Sequence, residues 1–122
     1  MSLMRVFLAM ALLSIATPCL ADELAGTWLR ENGDVRIKFE PCGNAICGVI
    51  VWLKPDTEST AKVGQRLFYD LRPDGKNSWN GKAAANGSVY VSKVSIEGVS
   101  LSTSGCIISG VFCRSMNWTR VP

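Results

Sequence analysis

The chain has 122 residues, 48% of them hydrophobic and 19% charged, with thirteen basic against ten acidic side chains. That length suits one domain with one core. Its basic residues are scattered, as at Arg36, Lys54, Lys62, Arg72 and Lys82, and without a dense basic cluster nucleic acid is excluded as a partner, while the absence of histidine excludes imidazole triads, metal sites and proton shuttles.

Arg5 precedes the apolar run Val6 to Ala16, which Thr17-Pro18 breaks before the small-residue stretch Cys19-Leu20-Ala21. This pattern reads as a secretion signal over residues 1–21, cut before Asp22. The run is about eleven residues where a membrane span needs about twenty, so a stable membrane anchor is the weaker reading. A lipid-modified start at Cys19 is weaker still, because Pro18 stands where such processing needs a small residue. Cleavage would leave 101 residues with twelve basic and ten acidic side chains, in a periplasmic or secreted location.

From Asp22 onward the periodicity is that of strands. Thr27 to Arg30 forms a short first strand, and Asn32-Gly33-Asp34 turns the chain into a second, where Val35, Ile37 and Phe39 alternate with Arg36, Lys38 and Glu40. Beyond the Pro41-Cys42-Gly43-Asn44 turn, Ile46 to Leu53 is apolar on both faces, and Trp52 is expected in the core. Lys54 to Gly64 is polar and expected to be a mobile loop. Gln65 to Leu71 resumes an extended pattern, and Pro73-Asp74-Gly75 supplies the next turn. Ser78 to Ala85, Ser88 to Glu97, Val99 to Cys106 and Val111 to Arg120 follow, separated by Asn86-Gly87, Glu97-Gly98 and Ser109-Gly110. No helical stretch is expected outside the leader, though Ala83 to Ala85 is open to a helical turn. About eight strands with short connections predict an all-β fold, a single antiparallel up-and-down barrel that closes its own edges.

An oxidising compartment makes disulfides the expected state of Cys42, Cys47, Cys106 and Cys113. Three pairings are open on paper, and the grouping into two close pairs favours Cys42 with Cys47 and Cys106 with Cys113, each stapling a hairpin. By loop-closure entropy each ring adds about 2 kcal/mol. The gaps of four and six residues fit neither paired zinc ligands nor a C-x-x-C redox site. Asp70 to Asn77 is the densest acidic stretch, yet it lacks the alternating acids and closing glutamate of a calcium loop. With no nucleophile elbow and no glycine-rich phosphate loop either, the reading is of no catalytic residues, no metal and no cofactor.

Gly26-Thr27-Trp28 in the first strand and Trp118-Thr119-Arg120 in the last resemble the pattern of lipocalin-type barrels, in which an early tryptophan packs beneath a late arginine. Gly26, Trp28, Trp118 and Arg120 are then the residues of structural barrel closure, with a cation over an indole face sealing the end where the termini meet. The ordered set Gly26-x-Trp28, Pro41-Cys42-Gly43, Cys47-Gly48-Val49-Ile50-Val51-Trp52-Leu53, Trp79-Asn80-Gly81, Gly105-Cys106 and Trp118-Thr119-Arg120 is similar to small secreted bacterial proteins grouped as domain of unknown function 2147. The resemblance spans essentially residues 22–122 and implies a lipocalin-like barrel. Members often carry Asp-x-x-Asn-Pro after the third strand and an Asp-Pro after Trp-x-Gly, where this chain has Pro55-Asp56-Thr57-Glu58-Ser59 and Gly81-Lys82-Ala83-Ala84-Ala85, so roles tied to those positions do not carry over.

Lipocalin-like closure implies an interior cup for a small apolar ligand, with Trp52, Phe68, Tyr69, Trp79, Tyr90 and Phe112 as candidate lining. An eight-stranded barrel is equally able to fill itself with its own side chains. The alternative function is an inhibitor or binding module for another envelope protein, using the Lys54 to Gly64 loop and Ile107-Ile108-Ser109-Gly110 as contact edges. An open apolar cavity separates the first reading from the second, which predicts a solid core.

Overall fold

The computed structural model describes residues 21–56, 60–107 and 112–122. Residues 1–20, which hold nearly all of the expected secretion signal, lie outside the described residues, as do 57–59 and 108–111 of the two expected contact loops. One helical turn, α1 (Ala21–Leu24), leads into β1 (Gly26–Arg30), β2 (Val35–Cys42), β3 (Ala45–Leu53), β4 (Arg66–Pro73), β5 (Ser78–Ala85), β6 (Ser88–Glu97), β7 (Ser100–Cys106) and β8 (Cys113–Arg120). The strands form a closed barrel in chain order, every neighbour antiparallel, and β8 returns to β1 through the pairing of Trp28 with Arg120. These are the eight strands that the alternation predicts, with ends displaced by one or two residues. Two expectations are corrected: a helical turn does precede β1, and Ala83 to Ala85 continues β5, paired with Ser88 to Tyr90.

Closure requires bulges, and the bulges decide which side chains point inward. In β2 the alternation holds, so Val35, Ile37 and Phe39 are buried while Lys38 and Glu40 are exposed. In β3 the pairing passes from Ile37 with Ile50 to Arg36 with Trp52, leaving Val51 as an extra residue. An extra residue reverses the alternation. Trp52, two positions after buried Ile50, is therefore thrown onto the outer face opposite Arg36, whose guanidinium carbon lies 4.9 Å from the ring centroid. That corrects its expected place in the core. A second bulge in β4 brings Phe68 and Leu71 both inward although they are three residues apart. Asp70 takes φ of 54° there, and its carbonyl oxygen comes so close to β5 that a Cβ on Gly81 would lie 2.7 Å from it.

The end of the barrel where β1 begins and β8 finishes, hereafter the base, is solid. Leu24, Trp28 and Trp118 are essentially inaccessible, and the Trp28 indole nitrogen donates to the Leu24 carbonyl at 3.0 Å. The Arg120 guanidinium lies 4.2 Å from the Trp28 ring centroid and donates to the carbonyls of Ala25, at 3.0 Å, and Glu23. A partly desolvated cation over an indole is worth on the order of 1 to 2 kcal/mol. The disulfides Cys42–Cys47 and Cys106–Cys113 each bridge a hairpin, β2–β3 at the base and β7–β8 at the other end.

Candidate functional site: a cavity at the mouth of the barrel

The connections that follow β1, β3, β5 and β7 gather at the end opposite the base, and the inward rows reaching this mouth differ between the two halves of the barrel. From β2 to β4 the inward side chains are bulky, namely Ile37, Phe39, Ile46, Ile50, Phe68 and Leu71. From β5 to β8 they shrink toward the mouth. The row Trp79–Val94–Thr103–Met116 is followed by Gly81–Ser92–Gly105–Arg114, and then by Ala83 opposite Tyr90. Gly105 and Ala83 cannot fill the space that a tryptophan fills one row below, whereas the place of a side chain at Gly81 is taken by the β4 backbone at Asp70 and Leu71. The result is a cavity of about 540 Å³ open at the mouth, walled by Phe68, Ala83, Tyr90, Gly105 and Met116 and rimmed by Ile107 and Phe112.

The floor of this cavity is fixed by a buried hydrogen bond, since the Trp118 indole nitrogen donates to the Thr103 hydroxyl at 3.0 Å. At the rim, the Thr60 hydroxyl donates to the Asn86 side-chain oxygen at 3.0 Å and so ties the β3–β4 connection to the β5–β6 turn. The loop expected to be mobile is also anchored at its described ends, where the Lys54 amide donates to the Asp34 carbonyl and the Gly64 amide to the Ile50 carbonyl, each at 2.8 Å. Across the mouth, the Cys106–Cys113 disulfide and the bond from the Ile107 amide to the Phe112 carbonyl hold the β7–β8 hairpin in register. Phe112 itself is 71% exposed. Ser92 and Trp79 each carry a buried polar atom, Oγ and Nε1, with no hydrogen-bond partner among the described residues.

Of the six aromatic residues read from sequence as candidate lining, Phe68 and Tyr90 wall the cavity and Phe112 stands at its rim. Trp79 is fully buried in the row beneath, against Val94. Trp52 and Tyr69 are not brought to the cavity at all, because Trp52 faces outward with Arg36 and Tyr69 pairs with Lys82 on the face opposite Phe68 and Ala83. Sequence reasoning missed Ala83, Gly105, Arg114 and Met116. Small residues at inward positions, Ala83 on β5 and Gly105 on β7, were the available signal for unfilled space.

The described lining contains no carboxylate and one charged residue, Arg114. Such a wall offers apolar burial and a cation rather than an acid–base pair. A second concavity of about 470 Å³ lies toward the base, and its walls include the polar residues Lys76, Asn77, Glu97, Ser102 and Asn117. Among the described residues no group of three or more His, Cys, Asp or Glu side chains is placed to hold a metal ion. None of their helices is long and apolar enough to cross a membrane.

A family model described as "Uncharacterized protein conserved in bacteria (DUF2147)" matches residues 26–120. No curated protein matches the chain. Among solved structures, protein HP1028 from the human pathogen Helicobacter pylori, described as belonging to the lipocalin family, is similar with a TM-score of 0.64 and 15% identity, over 81% of this chain and 83% of that one. A likeness at that identity concerns the fold.

Proposed function

Because this chain belongs to the DUF2147 family of bacterial proteins and has a lipocalin-like barrel, we propose that it is an exported, non-enzymatic protein that binds a small, largely apolar ligand in the cavity at the mouth. The observation that carries the reading is the cavity itself. A volume of about 540 Å³ falls within the size range of small-molecule sites, and an eight-stranded barrel has room for one such ligand. The apolar walls from Phe68, Ala83 and Met116 would supply most of the affinity through burial. Export is supported by two hairpin disulfides, which persist in oxidising compartments, and by the leader-like residues 1–21.

The test is a titration with N-phenyl-1-naphthylamine, a neutral dye that fluoresces in apolar surroundings. Saturable, displaceable binding of one dye per chain is expected in the wild type and should be lost in Gly105→Leu, whose side chain would grow into the cavity. Absence of saturable binding to the folded wild type would overturn the reading. One observation favours the alternative of an envelope-protein-binding module, namely Phe112 and Ile107 exposed together at the rim. Under that reading Phe112→Ser abolishes capture of an envelope partner.

A further inference from the structure

The cavity at the mouth has two chemically different sides. Leu67 and Phe68 of β4 and Ala83 and Ala85 of β5 are all apolar, whereas β7 and β8 bring Thr103 and Arg114. Arg114 is the one charge in the described lining, and no acid there compensates it. Its backbone is held by the neighbouring Cys113, locked to Cys106, and by its ladder partner Gly105, and its side chain is exposed at the mouth. Continuing across the same row, Gly105 faces Ser92, whose buried hydroxyl has no partner among the described residues. A Cβ at Gly105 would meet only Tyr90, at 3.6 Å.

The arginines elsewhere in the barrel are mostly occupied. Arg30 pairs with Asp34, Arg72 with Asp70, Arg36 lies over Trp52, and Arg120 covers Trp28. Arg114 has neither an ion-pair nor a ring partner among the described residues. A guanidinium presents a planar fork of donors that matches carboxylate and phosphate oxygens, and such charge-assisted bonds are about twice as strong as neutral ones.

We propose that the ligand is a single-chain amphiphile with an anionic head, bound at the head by Arg114 and along its chain by the apolar wall of β4 and β5. The inference rests on the ligand-binding reading above and adds the chemical class of the ligand. It is tested by displacing N-phenyl-1-naphthylamine from the purified protein with three probes of equal chain length, dodecanoate, dodecyl phosphate and dodecanol. The structure leads us to expect at least one anionic probe to bind about tenfold or more tightly than dodecanol. Whichever anion binds tighter identifies the head as carboxylate or phosphate. In Arg114→Met the preference should collapse to about twofold or less, while Arg114→Lys, which keeps the charge without the fork, should retain part of it. Far-ultraviolet circular dichroism checks the fold of both variants, and the wild-type preference should in any case shrink as salt rises. Equal displacement by all three probes, or a preference unchanged in a folded Arg114→Met, overturns the proposal and leaves the cavity reading standing. No saturable dye binding overturns both.

Discussion

The base and the mouth of this barrel are built from the same eight strands and follow opposite packing rules. At the base, Trp28, Trp118 and Leu24 are buried together, the two indole nitrogens each have an acceptor, and Arg120 closes the surface with two carbonyl partners. At the mouth, Ala83 and Gly105 leave space, the Ser92 hydroxyl has no partner among the described residues, and Arg114 is the one charge in the described lining. The contrast teaches that close packing and open space are assigned to opposite ends of one barrel. The base can hold the fold while the mouth forgoes packing contacts.

The sharpest way to break that division is Trp28→Ala. Truncating a fully buried indole with its hydrogen bond to Leu24 and its stacked guanidinium should cost about 3 to 5 kcal/mol, a large share of the roughly 5 to 15 kcal/mol typical of a domain. Urea denaturation would read this as a large fall in midpoint at unchanged slope. A loss below about 1 kcal/mol would show that the base is not what holds the barrel together. Arg120→Met tests the seal alone and should cost about 1 to 2 kcal/mol by the same measurement.

The next effect in size comes from Gly81, in the same row as Gly105. Its missing side chain serves backbone contact rather than ligand space. A Cβ there would lie 2.7 Å from the Asp70 carbonyl oxygen and 2.8 Å from the Leu71 Cα, where the β4 bulge presses on β5. Backbone cannot swing aside as a side-chain tip can. Gly81→Ala should therefore destabilise by about 1 to 3 kcal/mol, as overpacking does, and amide exchange should rise first in β4 and β5. An unchanged unfolding midpoint would mean that the bulge relaxes at no cost.

Which parts were legible in the sequence follows from what each depends on. Period-two alternation and cysteine spacing are local, so the eight strands and the hairpin disulfides could be read from residue order, while the closure through Trp28 and Arg120 was implied by the resemblance to lipocalin-type barrels. The bulges could not, because the extra residues at Val51 and Asp70 arise from closing the barrel rather than from any turn signal in the chain. One such bulge turned Trp52 outward, against the plain reading of an apolar run. The cavity was illegible for a related reason. Aromatic residues announce themselves in a sequence, while empty space is made by Ala83 and Gly105 meeting across Tyr90 in a register that only the folded sheet displays.

Gly105 is expected to give the smallest effect on stability and the finest separation of the two ends. It shares a row with Gly81 and like it has no positive φ, but an added Cβ would make only ordinary van der Waals contact with Tyr90 at 3.6 Å. Gly105→Ala should then leave stability unchanged or raise it by about 0.4 to 1 kcal/mol, because the unfolded chain loses freedom that the strand never used. The added methyl takes little of the cavity's volume, so dye affinity should change far less than in Gly105→Leu. Two glycines two strands apart in one row would thus respond with opposite signs. If Gly105→Ala instead destabilises as much as Gly81→Ala, the space at the mouth is a packing constraint like the one at the bulge, and the case for a ligand there loses its main support.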